Sequence, residues 1–482
     1  MAACLFNHHW PDCRITLIES SAIGIIGVGE GSTPQLKSFF NKIGIAESEW
    51  MPAANATYKN GIHFEGWSSD PQCKSYFHPF NTTLDVHTLK EFFLATLLRR
   101  SGRDVPTHPD LYLLPARVTA QNRGPGRDED WPFDIAHSYH FDAHEVGQVL
   151  KRVATARGVE WIDARIADVE IDGDGAVSAL LSDDGQRLTA DFFVDASGFG
   201  ALIIEKALGA KHRGFEENLF NDRAVVMPTP VAPSGPEPAT RAIAMEAGWR
   251  WSIPLQHRTG NGYVFSSRYL DKEQAEEDLR SALGVGNDVE ARHLQMRCGR
   301  MEDSWVSNCL AIGLAQGFLE PLEATALHLT INTLEAFITA IERDGMNPDV
   351  RTKFNEEIGA RFEGIRDYIV CHYRASSRRD NEYWRDNTSH DRLSDPLKEI
   401  FTAWYTAKDL VPVLRQQTEY YPAMSWHCLF AGYGNFPPDE KLKPSRADDP
   451  LVDTERVQSF LDTCASHYRP HAEMLAALEK GD

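Results

Sequence analysis

Two tryptophans one residue apart in Gly248-Trp-Arg-Trp-Ser-Ile-Pro-Leu255 are the chain's most informative chemistry-bearing feature. On an extended strand that spacing puts both indoles on one face. Large, rigid, apolar rings there can keep water out of a cavity; the plain alternative is a strand whose tryptophans fill a core. A preset W-x-W-x-I-P string arises by chance in such a chain on the order of once in a thousand. Upstream, Ile26-Gly-Val-Gly-Glu-Gly-Ser-Thr-Pro34 is a loop whose backbone can approach a ligand closely. Arg14-Ile-Thr-Leu-Ile-Glu19 is a β-branched run ending in an acid. That is the pattern of the second parallel strand of a dinucleotide fold, whose terminal carboxylate hydrogen-bonds a ribose, although any buried strand reads similarly. A helical pattern begins at Ala324, directly after Glu323, so its first N–H groups form an anion site and Glu323 can act as a favourable charge at the helix start. His140 and His144 have the spacing of zinc ligands on a helix. Asp142, a helix cap, falls between them and no third ligand is evident, so they read as structural and no metal site is expected.

These residues need an α/β scaffold to position them. Residues 35–50 and 84–101 read as helices, 58–67 as a strand with a glycine kink, and Asp142 as the cap of a helix through Val146, Val149, Leu150 and Val153. Residues 159–194 alternate strands with turns and close on Phe192-Phe-Val-Asp-Ala-Ser-Gly-Phe-Gly200, a buried strand followed by small residues that bring backbone beside a ligand. The proline-rich stretch 227–238 reads as an exposed loop. A short buried strand follows at 307–313, then long helices near 324–343 and 348–374, and mostly helix after 380. The expected division is a core of residues 1–345 and a mainly helical region of 346–482.

With 70 acidic and 49 basic residues the net charge is -21, which disfavours nucleic acid and anionic membrane surfaces as partners. The eight cysteines are scattered without C-x-x-C spacing, so they are expected to be reduced thiols in a cytoplasmic protein. No apolar run is long enough to span a membrane.

The tryptophan motif, Asn55-Ala-Thr-Tyr-Lys59 with Ile62-His-Phe-Glu-Gly-Trp67, Phe77-His-Pro-Phe80, Tyr139-His-Phe-Asp-Ala-His144, Val194-Asp-Ala-Ser-Gly-Phe199, Gly262-Tyr-Val-Phe-Ser-Ser267 and Gly317-Phe-Leu-Glu-Pro-Leu-Glu323 occur in one order. In that order the chain resembles the flavin-dependent tryptophan halogenases along most of its length, more weakly after about residue 390. The resemblance implies an FAD-binding, Rossmann-type (GR2-like) three-layer α/β domain merged with a mostly helical substrate-binding region. The first strand and G-x-G-x-x-G turn of that domain are missing upstream, and roughly twenty further residues, a βα half-unit, are expected to be needed for good flavin retention.

It also implies a chemistry. Reduced FAD and oxygen form a hydroperoxide, chloride or bromide attacks it, and the hypohalous acid passes through the protein to a lysine beside an aromatic substrate. Lys59 matches that lysine, as a haloamine carrier or a hydrogen-bond donor. Glu323 matches the carboxylate that stabilises the charged ring intermediate and takes its proton, with Glu320 as the nearby alternative. Trp249, Trp251, Ile253 and Pro254 match the partition between flavin and substrate. Glu19, Gly27, Val28, Gly29, Glu30, Ser32, Thr33, Pro34, Asp195, Ser197, Gly198 and Gly313 are expected at the flavin, and Thr325 with Ala326 at the halide. There Ala324-Thr-Ala326 departs from the family's Ser-Thr-Gly, leaving halide affinity and preference open. His78, Phe80 and Trp426 are expected at the substrate. The spacing of Glu419-Tyr-Tyr421 from Ser425-Trp-His-Cys428 does not match the family's grip on free tryptophan, which points to a simpler indole or an indole within a larger molecule. A separate NAD(P)H-dependent flavin reductase is the implied partner, and a homodimer is left open. The alternatives are a flavin monooxygenase on the same fold and a non-catalytic relic.

Overall fold

The computed structural model describes residues 1–24, 27, 29–80, 82–416, 420–446 and 449–480; Ile26 and Val28 of the glycine-rich strap and Glu419 lie outside these. Strand Thr16–Glu19 pairs in parallel with Glu160–Asp163, and Phe193–Asp195 in parallel with Cys309–Ala311. Beside these Rossmann-like pairs lies a seven-stranded mixed sheet. Its order is Arg292–Gln295, Arg223–Thr229, Thr259–Phe265, Gly248–Pro254, Thr240–Met245, Gly61–Glu65, Ser75–Pro79, all antiparallel except Thr240–Met245 against Gly61–Glu65. The tryptophan strand Gly248–Pro254 is near its centre, with Trp249, Trp251 and Ile253 buried and Arg250 and Ser252 half-exposed, the period-two alternation expected of a strand.

The two long helices are Thr325–Asp344 and Pro348–Ala375. They pack on Trp305 through Phe337, in the second half of the first, and Phe354, in the first half of the second, ring centroids 4.9 and 5.7 Å away. Asp142 caps the helix Ala143–Ala156 by accepting from the His144 N–H at 3.0 Å. His140 is buried in hydrogen bonds with Thr57 and Thr240, and no metal-binding cluster occurs among the described residues. No described helix is long and apolar enough to cross a membrane. The 346–482 segment does not stand apart: strand Tyr468–Pro470 pairs with Arg123–Arg127, and one hydrophobic core runs through both regions.

Three sequence expectations need correction. Residues 35–50 form two helices, Gln35–Lys42 and Glu47–Trp50, because Gly44 takes a left-handed conformation (φ +68°) that ends the first. The strand Arg223–Thr229 runs through Pro228 into the expected loop, which therefore begins at residue 230. The predicted strand 58–67 is two strands in different sheets, Thr57–Lys59 beside Ser138–Phe141 and Gly61–Glu65 in the large sheet. Asn60 joins them, its side-chain amide donating to Thr119 Oγ1 and Arg123 O at 3.1 and 3.0 Å.

Gly61 is the tight point of that switch. A Cβ there would lie 2.3 Å from the His78 carbonyl oxygen and 2.6 Å from the Phe77 ring. Gly61→Ala should therefore push the neighbouring strand away and destabilise the fold by about 2–3 kcal/mol, as overpacking does. A denaturant midpoint equal to the parent's would refute this.

Candidate active site

The strand switch at Asn60 places Lys59 in the protein interior. Its side chain is fully buried, and its amine has no hydrogen-bond partner among the described residues. Burial pushes the amine down to about 7, against the opposing pull of the Glu323 carboxylate, so the two groups are near enough for their charges to interact. The amine is 5.6 Å from the centroid of Phe80. On its other side lies the strap: a Cβ on Gly31 would come within 3.2 Å of the Lys59 Nζ. A side chain at position 31 would crowd the amine by a few tenths of an ångström.

Glu323 belongs to the short turn Pro321–Glu323 before the long helix Thr325–Asp344. It does not cap that helix; Ala324 holds the cap position in a left-handed conformation (φ 55°) and no side chain takes the first-turn N–H groups. Burial alone would raise the Glu323 carboxyl. The nearby His372, His78 and Lys59 outweigh it and hold the group below the usual carboxylate range. His372 Nε2 is 2.8 Å from Glu323 Oε1, an approach off the hydrogen-bond line. Its Nδ1 meets the Tyr433 hydroxyl at 2.8 Å, and its ring stacks on Phe64 at 4.6 Å.

An aromatic wall surrounds the pair. His78, pushed down to about 4 by burial, contacts the hydroxyls of Tyr76 and Tyr368, each at 3.3 Å. Tyr368 meets Trp426 edge-on at 4.8 Å, stacks on Tyr421 at 3.6 Å, and donates to the Ser425 carbonyl at 3.1 Å. His78, Phe80 and Trp426 therefore line the same region as Lys59 and Glu323. His372, Tyr368, Tyr76 and Tyr433 belong there too, and sequence reasoning missed them. For His372 and Tyr368 the only signal is a place late in a long helical pattern, which any core helix can show; Tyr76 is on the strand Ser75–Pro79 and Tyr433 ends the helix Ala423–Gly432.

Glu320, the alternative carboxylate, faces elsewhere. Its Oε2 accepts from the Trp249 indole N–H at 3.2 Å, from Asn221 at 2.9 Å and from the Tyr373 hydroxyl. Trp249 and Trp251 lie 6.2 Å apart at 57°. Pro254 is tied to the lysine strand, its carbonyl accepting from Thr57 Oγ1 at 2.7 Å. Ile253 packs toward the strap, where a Cβ on Gly29 would touch it at 3.7 Å.

The strap is fixed by strand pairing of Glu30–Gly31 with Phe141 and His140, by Ser32 Oγ against Ser138 Oγ at 2.5 Å, and by Thr33 Oγ1 against His328 Nδ1 at 3.3 Å. Pro34 starts the helix that follows. Gly198 (φ +71°) and Gly313 (φ +60°), after the parallel strands Phe193–Asp195 and Cys309–Ala311, make two left-handed turns with nothing within 4 Å of a Cβ on the first and only Thr330 Oγ1, at 4.0 Å, near one on the second. Bare backbone facing open space suits the flat edge of a flavin. The Asp195 carboxylate is taken by the N–H groups of Ser197, Ile203 and Ile204 at 2.8–2.9 Å, so it shapes this turn. Glu19 accepts from Lys151 and Trp161 through Oε1 at 2.7 and 2.9 Å. Thr325 is buried at the open helix start, with Ala326 beside it.

The chain as a whole is similar to known proteins. The tryptophan halogenase family model matches residues 1–448. The 7-chloro-L-tryptophan 6-halogenase KtzR of Kutzneria sp. (strain 744) is 33% identical over 95% of this chain and 94% of its own length. The tryptophan 7-halogenase RebH of Lentzea aerocolonigenes is 31% identical over 97% and 92%. Among solved structures, the tryptophan 6-halogenase SttH of Streptomyces toxytricini superposes with a TM-score of 0.87 at 30% identity, covering 99% of this chain and 97% of that one. BrvH, a flavin-dependent halogenase from Brevundimonas sp. BAL3, gives 0.82 at 31% identity over 99% and 96%. The chain belongs to the tryptophan halogenase family, enzymes that use reduced FAD, oxygen and a halide.

Proposed function

We propose that this enzyme halogenates an electron-rich aromatic ring, an indole in the first instance, at a site built from Lys59 and Glu323. The observation that carries this reading is the buried, unpartnered Lys59 amine beside a carboxylate held ionised, between aromatic walls. Bound reduced flavin supplies, with oxygen and halide, hypohalous acid. The overall substitution consumes that acid and a ring C–H and yields a ring C–X bond and water.

The chain's own residues divide the work. Glu19, Gly27, Gly29, Glu30, Ser32, Thr33, Pro34, Asp195, Ser197, Gly198 and Gly313 form or shape the flavin cradle. Trp249, Trp251, Ile253 and Pro254 separate it from the substrate. Uncapped N–H groups at Thr325 and Ala326 suit a halide ion. Lys59 holds or hydrogen-bonds the oxidised halogen, for which a desolvated amine able to lose its proton near neutrality is suited. Phe80, His78 and Trp426 flank the ring. Glu323 faces the positive charge of the ring intermediate and receives its proton, and His372 keeps that carboxylate anionic beforehand. The relatives KtzR and RebH are tryptophan halogenases by name; here the indole, free or within a larger molecule, is the substrate class. A separate flavin reductase supplies the reduced cofactor.

The test supplies the protein with a reductase, FAD, NADH, oxygen and bromide or chloride, and screens indoles, tryptophan included, by mass spectrometry. A halogen isotope pattern in the product is expected. A gain of one oxygen instead, or no product across the panel, would overturn the reading.

A further inference from the structure

Glu320 is three residues from Glu323 but serves a different wall. It is wholly buried, and its two oxygens are treated unequally. Three donors converge on Oε2: the Trp249 indole N–H, the Asn221 amide and the Tyr373 hydroxyl. Those donors are themselves held. Asn221 also contacts the Tyr373 hydroxyl at 2.8 Å and accepts from the Tyr383 hydroxyl at 3.1 Å. Oε1 has no partner among the described residues. A fully buried carboxylate oxygen without a donor is costly, and it persists here next to the indole that would screen the flavin. The neighbouring Trp251 Nε1 is likewise buried and unpartnered.

We propose that Glu320 is the positioning residue of the tryptophan screen: Oε2 locks the Trp249 indole in place, and Oε1 accepts the O–H of hypohalous acid as it passes from the flavin side toward Lys59. The step makes and breaks only hydrogen bonds. A carboxylate suits it because one oxygen satisfies the anchoring donors and leaves the other free, whereas an amide of the same shape would present a donor at the free position. The inference rests on the halogenase reading above.

The test measures how oxidant is partitioned. With the full-length protein, a reductase, FAD, NADH, bromide and a turned-over indole, halogenated indole is measured against halogenated 1,3-diketone, a trap for hypohalous acid that escapes. In Glu320→Gln the trapped share should rise relative to indole product by about fivefold, the factor one buried hydrogen bond controls. Tyr373→Phe removes one donor from Oε2 and should move the same ratio about twofold; it serves as the readout if the Gln variant does not accumulate. If the variants turn over more slowly or unfold sooner but divide oxidant as the parent does, Glu320 is only a packing group and the inference falls. Lys59→Ala separates the two levels of the argument. Persistent halogenated indole in that variant overturns the role given to Lys59, while loss of product there with parental partition in Glu320→Gln overturns the Glu320 inference alone.

Discussion

Lys59→Met should abolish halogenation, by on the order of a thousandfold or more, while making the folded protein harder to unfold. The amine is buried without a hydrogen-bond partner among the described residues, so folding strips its hydration and returns the attraction of Glu323. Replacing such a group with an apolar one of similar length is worth about 1–4 kcal/mol in comparable sites. The sign of the pH dependence follows. Lys59 in the folded protein titrates at about 7, against about 10.4 in the unfolded chain. Between those values the unfolded state binds more protons, so stability rises with pH there, and below about 7 the penalty is complete. Methionine removes that slope. Denaturant unfolding at pH 6.5 and 9.5 should show the parent gaining stability toward the higher pH more steeply than the variant. Equal slopes, or a variant that still halogenates, would contradict the assignment.

Glu323→Gln should lower kcat by about a hundredfold to a thousandfold, the range for removing one preorganised charge stabiliser, with little change in KM. The carboxylate is held anionic by His372, His78 and Lys59, and an amide of the same shape provides neither the charge nor the proton acceptor. Loss of the ring proton should then become slow. An indole deuterated at the reacting carbon should show a primary isotope effect in the variant larger than the parent's. A parental kcat, or an unchanged isotope effect alongside the slowed rate, would move the proton acceptor elsewhere. The group's depressed titration also means that its contribution to stability is present above the ordinary carboxylate range, about 4.3 for an unfolded Glu, and is lost as pH falls through its folded value.

The two carboxylates show what could be read early and what could not. Phe318-Leu-Glu-Pro-Leu-Glu323 offered Glu320 and Glu323 as candidates, and their spacing did not choose between them. Across the turn Pro321–Glu323 they meet different partners, one Trp249 and Asn221, the other His78 and His372. Similarly, the helix Pro348–Ala375 was legible from its periodicity, but the surroundings of His372 were not, since Phe64, Glu323 and Tyr433 all reach it from distant parts of the chain.

The sequence by itself determined the alternation of the tryptophan strand, the cap at Asp142, the long helices and the presence of the glycine-rich strap, because periodicity, caps and turn residues act over a few neighbours. It also supplied the ordered motifs that identify the family. Only the tertiary structure decided that residues 57–65 switch sheets at Asn60, that Gly31 leaves room for the Lys59 amine, that the Asp195 carboxylate is spent on holding its own turn, and that His372 faces Glu323. Those are matters of burial and long-range approach, and both the charge state of a buried group and the room left beside it depend on partners that no local window contains.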